Sequence, residues 1–330
     1  MRNPVSLPRE VTRAPTHAPM ATSEFGRELH AGLSRRVRSV SPKYFYDVEG
    51  SALFDRICDL PEYYPTRTEL RILTERASEI AAQIGPNAEI IEFGAGSLTK
   101  VRLLLDALET PRRYVPIDIS GEHLEAAAQR LRADYPQLAV QPVAADYTMP
   151  LVLPAPGEGA GRRVGFFPGS TLGNFTPDEA LAFLQLSARL LRGGGLLIGV
   201  DLVKDPALLH AAYNDAQGVT AAFNLNLLRR ANAELKTDFD LDGFAHAAFY
   251  NAPLQRIEMH LLSRRAQAVT LDGRSFDFTE GETIHTEYSH KFTIDGLRAL
   301  AEKAGFTPAA VWTDPDRLFS VHWLQAPAAQ

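Results

Sequence analysis

Only one cysteine, Cys58, occurs in the 330 residues, which excludes an internal disulfide and any zinc cluster built on cysteines. A lone thiol fits a reducing cytoplasm. No apolar run approaches membrane-spanning length. The N-terminus, with Arg2, Arg9 and Arg13, lacks the apolar segment of a secretory signal. Positive charge is not in excess either: Lys and Arg total 34 against 40 Asp and Glu, for a net charge of −6. That balance argues against nucleic acid, because phosphate binding needs concentrated cations. H-E-x-x-H, the P-loop lysine motif and the G-x-S-x-G elbow are all missing, and no internal repeat is present. What remains is 45% hydrophobic and 22% charged, the balance of an ordinary globular protein. The length suffices for a large core, as one big domain or two of ordinary size.

The most informative stretch runs from Glu89 to Ser97, Glu-Ile-Ile-Glu-Phe-Gly-Ala-Gly-Ser. It reads as a short apolar strand that stops at a glycine turn and opens into a helix over Lys100–Leu105. Gly94 and Gly96 let the backbone pass close to a ligand. A second strand, Tyr114–Ile117, ends at Asp118, where a Rossmann-like fold places a carboxylate on a ribose. A third, Leu138–Val140, leads to Asp146 and Tyr147, an acid beside an aromatic ring. That order suits a nucleoside held by its sugar hydroxyls and its adenine edge. An NAD fingerprint needs Gly or Ala where this chain has Thr99, and Glu92 would repel a pyrophosphate. A cationic sulfonium suits an acidic loop better, so S-adenosylmethionine (SAM) is favoured over the nicotinamide of a dehydrogenase.

Residues 1–26, rich in Pro, Arg, Thr and Ser, read as a disordered tail. Residues 27–84 look mainly helical, with Ser51 as an N-cap and a long helix over 68–83. From Gly85-Pro86-Asn87 onward strands and helices alternate, with further strands at 164–167 and 196–201 and helices near 121–134 and 177–192. Alternation of this kind gives a parallel sheet with helices on both faces. Residues 205–291 change pattern, with a helix near 206–235 and β-like runs at 244–250 and 255–262. The chain end returns to α/β, with strands at 309–312 and 319–324, and a late hairpin is how SAM-dependent methyltransferase sheets finish. The expected organisation is a tail (1–26), a substrate-binding lobe (27–80 and 205–291) and a SAM-binding domain (81–204 and 292–330).

Several segments carry a more specific likeness. Phe45-Tyr46-Asp47, Leu60-Pro61-Glu62-Tyr63-Tyr64-Pro65-Thr66-Arg67, Gly169-Ser170-Thr171-Leu172-Gly173-Asn174 and Asp201–Asp205 resemble the histidine-specific Nα-methyltransferases of ergothioneine biosynthesis. So do Tyr213, Phe223-Asn224, Arg256–Met259 and Thr286–Phe292, and the resemblance covers residue 40 to the end. It implies transfer of three methyl groups from SAM to the α-amine of L-histidine, giving hercynine. It also implies that Glu287 and Ser289 select the histidine ring with Met259 beside it, and that Asn174, Tyr63 and Tyr213 hold the substrate carboxylate. Tyr46 and the Gly169 backbone then lie near the amine, and Lys100 meets the SAM carboxylate. Fungal N-methyltransferases of a prenylated tryptophan belong to the same superfamily.

Read without the likeness, strand alternation puts His285, Glu287, Ser289 and Lys291 on one face and Ile284, Thr286, Tyr288 and Phe292 on the other. Glu287 and Ser289 are then roughly 6–7 Å apart along the strand, and a carboxylate with a hydroxyl can grip both imidazole nitrogens. The same alternation also describes a solvent-facing polar strand. His285 and His290 fall on different faces, so no metal site is expected. The expected fold class is α/β, a Rossmann-like class I SAM-dependent methyltransferase sheet with an inserted and N-terminal α+β lobe. The expected partner is L-histidine, for a cytoplasmic monomer without nucleic acid or membrane. A tryptophan derivative as substrate is the alternative, and burying Glu287 against an indole ring would be costly. A SAM-binding protein without turnover is the other.

Overall fold

The computed structural model describes residues 23–329 apart from 97, 120 and 158, and says nothing of the side chains of 122 and 123. Residues 1–22 of the expected tail lie outside the described residues. Its last four do not belong to a tail: Ser23 caps helix α1 (Glu24–Leu33), its Oγ accepting from the Gly26 N–H at 3.1 Å. Phe25, Leu29 and Leu33, spaced by four, bury one stripe of that helix. Strand β1 (Arg38–Ser39) follows, then α2 (Val48–Cys58). The cap of α2 is Asp47, whose Oδ1 accepts from Gly50 N–H at 2.7 Å, so Ser51 sits inside the helix rather than at its start. The single helix expected over 68–83 is two, α3 (Tyr64–Glu75) and α4 (Ala77–Ile84), and Pro65 in the first turn lets α3 begin early.

The large sheet then forms from β2 (Glu89–Phe93), α5 (Thr99–Ala107), β3 (Arg113–Asp118), α6 (Gly121–Asp134), β4 (Ala139–Val140) and β5 (Val143–Ala144). It continues through β6 (Arg163–Phe167), α7 (Pro177–Leu190) and β7 (Gly195–Asp201). The chain leaves for α8 (Pro206–Tyr213), α9 (Val219–Leu235), β8 (Phe244–Asn251), β9 (Arg256–Ser263), β10 (Gln267–Leu271), β11 (Arg274–Phe278) and β12 (Thr283–His290). It returns with α10 (Ile294–Lys303), β13 (Thr307–Thr313) and β14 (Phe319–Gln325). The strand order is β13-β14-β7-β6-β2-β3-β4, with β5 on β3. Pairings among β2, β3, β4, β6 and β7 are parallel, and β14 runs antiparallel between β7 and β13. This is the Rossmann-like sheet with a late hairpin that the alternation predicts. One face buries Ile72, Ile80, Leu104 and Leu131 from α3–α6, and the other buries Phe183, Leu184, Leu297 and Ala301 from α7 and α10. The end of α3 (Ile72, Leu73) and α4 (Ile80, Ile84) thus pack with the large sheet, while Tyr64 at the start of α3 joins the other core.

A second core joins α1, α2 and α9 to a sheet of order β1-β12-β9-β8. Its register breaks at one place. Thr286 and Glu287 together stand opposite Met259, a β-bulge between His285 and Glu287. Past the bulge the alternation resumes out of phase, and the His285 ring lies against that of Tyr288, tilted by 35° with centroids 3.8 Å apart. His285 therefore shares a face with Tyr288 and not with Glu287, which corrects the uniform alternation expected from the sequence.

Candidate active site

The carboxyl ends of the parallel strands meet β12, joined by a bridge between Leu202 and Phe292. This is where ligands bind in open α/β sheets. On the large-sheet side, β2 ends at Gly94, whose φ of +73° suits a residue without a Cβ. The N–H groups of Gly94 and Ala95 donate to the Ile117 carbonyl at 2.9 and 3.1 Å. A Cβ on Gly94 would sit 3.4 Å from the Tyr147 ring, whereas Gly96 is exposed with open space where a Cβ would lie. Asp118 ends β3, partly exposed. Asp146 closes its own turn by accepting from the Thr148 N–H at 2.9 Å, and Tyr147 packs against Phe93, Phe167 and Phe183. Glu92 behaves differently from its sequence-based expectation. It is buried against the hydroxyl of Tyr114, and burial lifts its pKa to about 7 despite that hydrogen bond. It therefore carries less negative charge at neutral pH than an exposed carboxylate. The open floor at Gly96, the strand-end acids and the aromatic wall of Tyr147 fit an adenosine-bearing cation.

Lys100, in the first turn of α5, lies 2.6 Å from Glu69 Oε2. The buried Glu69 carboxylate also accepts from the Gly169 N–H, at 3.0 and 2.9 Å to its two oxygens. Gly199 makes room for it, because a Cβ there would lie 2.0 Å from Glu69 Oε1. Glu69 thus ties the glycine-loop helix to the turn after β6. Sequence reasoning passed over it. The available signal was a charged residue three and four positions before the buried Ile72 and Leu73, on the apolar stripe of α3.

On the other side, Glu287, Ser289, Tyr213, Tyr63, Tyr46 and Asn174 converge. Asn174 Nδ2 approaches Glu287 Oε2 at 3.5 Å, the outer reach of a hydrogen bond. The Tyr213 hydroxyl donates to Ser289 Oγ at 2.7 Å, and its ring lies 6.4 Å from that of Tyr63. Tyr46 packs on Phe54 and Phe223. Tyr46 and Tyr63 are both half-buried. Burial, and then neighbouring ionisable groups including Glu287, push both phenols well above their ordinary range. Burial likewise raises the Glu287 carboxyl to about 7, opposed by Lys291. Met259, paired with Glu287 across the sheet, is buried at 2% exposure.

Beneath these residues lies a buried ionic network. Lys291 Nζ donates to Ser289 Oγ at 2.7 Å and Tyr213 Oη at 3.2 Å and pairs with Asp201 Oδ2 at 3.0 Å. Burial alone would lower the Lys291 pKa, but Asp201 and then Tyr213 outweigh it and hold the ammonium above its ordinary range. Asp201 also accepts from the Tyr64 hydroxyl at 2.9 and 2.8 Å and pairs with Lys204, whose pKa burial lowers to about 8. The expected strand end at 201–205 is thus a charged foundation under the substrate side.

His285 and His290 both neighbour Tyr288, so the two do not lie on different faces as the uniform alternation predicts. Among the described residues, no group of three or more His, Cys, Asp or Glu is placed to hold an ion. None of the described helices is long and apolar enough to cross a membrane.

The family described as "Histidine-specific methyltransferase, SAM-dependent" matches residues 25–326. Histidine N-alpha-methyltransferase of Mycolicibacterium smegmatis is 44% identical over 305 residues, 90% of this chain and 94% of that protein. Ergothioneine biosynthesis protein 1 of Neurospora crassa is 32% identical over 84% of this chain and 32% of its own length. The 4-dimethylallyltryptophan N-methyltransferase easF of Aspergillus fumigatus is 29% identical over 86% of this chain and 88% of that protein.

Proposed function

The chain belongs to the histidine-specific, SAM-dependent methyltransferases, and from that premise we propose that it methylates the α-amine of L-histidine. The product is Nα,Nα,Nα-trimethylhistidine (hercynine), and the reaction is the first step of ergothioneine biosynthesis. One observation carries the substrate assignment: a buried carboxylate, Glu287, and a buried hydroxyl, Ser289, stand two residues apart on β12, with the Tyr213 hydroxyl on Ser289. An imidazole offers one N–H and one ring nitrogen acceptor, which this pair complements. An indole offers one N–H and no ring acceptor, so it cannot satisfy both members of the pair, at a cost of about 1–3 kcal/mol.

SAM, when bound, supplies a methyl carbon made electrophilic by its sulfonium. The residues assigned to hold it are Gly94 and Gly96 along its backbone, Asp118 on the ribose hydroxyls, Asp146 and Tyr147 about the adenine, and Lys100 toward the carboxylate. Asn174, Tyr63 and Tyr213 are assigned to the histidine carboxylate, and Met259 to the flank of the ring. The chain's own task at the amine is orientation, since an in-line approach of two bound reactants is chiefly an entropic problem. Tyr46, whose phenol burial keeps protonated at neutral pH, offers an oxygen that accepts an N–H without removing the proton. The Gly169 N–H is turned to Glu69, which leaves the carbonyl as the Gly169 group suited to an ammonium. A cytoplasmic site of action belongs to the same reading and is supported by the free thiol of Cys58.

The test is kcat/KM for histidine, phenylalanine and tryptophan, read by mass spectrometry, on the wild type and Glu287→Ala. The variant should raise the histidine KM about tenfold or more, with SAM affinity unchanged. Unchanged ratios among the three amino acids would remove Glu287 from the substrate pocket.

A further inference from the structure

The bulge that aims Glu287 is locked by a hydrogen-bonded chain of its own. Thr286, its extra residue, is fully buried; its hydroxyl has one proton to give, with Asn224 Oδ1 the nearer acceptor at 2.8 Å and the Met259 carbonyl at 3.1 Å. Asn224, on α9, is also fully buried. Its Nδ2 donates to the His260 carbonyl and to His246 Nδ1, both at 2.9 Å. His246 Nε2 in turn lies 2.9 Å from the Tyr213 carbonyl.

The chemistry of these contacts permits one arrangement. A flipped Asn224 amide would set its oxygen against the His260 carbonyl oxygen, two acceptors facing each other. With the amide as described, His246 Nδ1 must accept, so its proton sits on Nε2 and is donated to Tyr213. Burial lowers the His246 pKa and favours that neutral tautomer. The chain therefore runs unbroken from the residue before Glu287 to the main chain of Tyr213.

We propose that Thr286, Asn224 and His246 are positioning residues for substrate selection. They hold the bulge in β12 and so set Glu287 in register with Tyr213. The proposal rests on the reading that Glu287 receives the imidazole. The reason a lock is needed is geometric. A strand has a side-chain period of two, and a one-residue slip moves every side chain to the other face. Straightening the strand from His285 onward would carry Glu287 and Ser289 to the face that His285 now occupies, away from Tyr213. Ladder hydrogen bonds cannot prevent this by themselves, because a bulge leaves its extra residue unpaired. The Thr286 hydroxyl supplies the missing tether.

The experiment compares Thr286→Val, which keeps the shape and removes the hydroxyl, with Thr286→Ser, which keeps the hydroxyl. The readout is the ratio of kcat/KM for histidine over phenylalanine, with SAM affinity by calorimetry as the check on folding. Thr286→Val should lower the ratio about tenfold at unchanged SAM affinity, and Thr286→Ser should restore it. A wild-type ratio in Thr286→Val, or an equal loss in both variants, overturns the proposal. Glu287→Ala is run beside them. If it leaves the ratio unchanged, the imidazole assignment itself has failed; if it lowers the ratio while Thr286→Val does not, only the lock has failed. Should Thr286→Val not bind SAM, His246→Phe decides, with a loss of at least threefold expected and a wild-type ratio refuting.

Discussion

Replacing Glu287 by Gln should stabilise the ligand-free protein above neutral pH and change little at pH 5. Glu287 is only 8% exposed, and the charge that opposes its burial, Lys291, is already committed to Asp201. Burial raises the carboxyl from its ordinary value of 4.5 to about 7. A carboxyl with a raised folded-state pKa binds its proton more tightly when folded than when unfolded. Its stabilising contribution is full below the unfolded value, near pH 4.5, and is lost as pH rises through about 7. A displacement of this size corresponds to about 3 kcal/mol across the window, less where water reaches the carboxyl. Glutamine has no proton to lose. Thermal melts from pH 5 to 8.5 without ligands should show the variant pulling ahead of the wild type, by about 2 °C per kcal/mol for a chain of this length. The histidine KM should rise at the same time, because a neutral amide is a weaker acceptor than a carboxylate. A difference that stays constant with pH, or that opens in favour of the wild type, would refute the burial of an ionisable group at this point.

Asp118→Ala should weaken SAM binding about tenfold or more, from the loss of charge-assisted bonds to the ribose, and calorimetry giving wild-type affinity would remove Asp118 from the site. A chain beginning at Thr22 should keep its melting temperature and turnover. One beginning at Arg27 loses the Ser23 cap and Phe25, whose ring stacks on Tyr44 at 4.3 Å; it should lose about 3–5 kcal/mol in denaturant titration. Glu69→Gln faces Gly169 N–H and Lys100 with an amide instead of a carboxylate, and scanning calorimetry should show a loss of about 1–3 kcal/mol.

Much of the large sheet was legible in the sequence because its signals are local. A buried parallel strand such as Glu89–Phe93 is an apolar run closed by glycines, and each helix of the alternation repeats its apolar stripe within a few turns. The same holds for the motif residues that carry the family likeness, from Tyr63 to Ser289, which are legible as strings. Boundaries set by competing caps were less so: Asp47 displaced Ser51 because its carboxylate reaches the Gly50 N–H, and both residue types are good caps. Residues whose partners lie far along the chain could not be read at all. Glu69 acquires its role from Gly169, 100 positions away, and Lys291 from Asp201 and Tyr213. The orientation of Glu287 is the sharpest case. Nothing in Thr283–His290 marks a bulge, because a bulge is a mismatch between two strands and not a property of one. The sequence by itself determined the sheet, the glycine loop and the identities of the polar groups. Only the pairing of β12 with β9, and the reach of Asn224 to Thr286 from α9, decided which way those groups face.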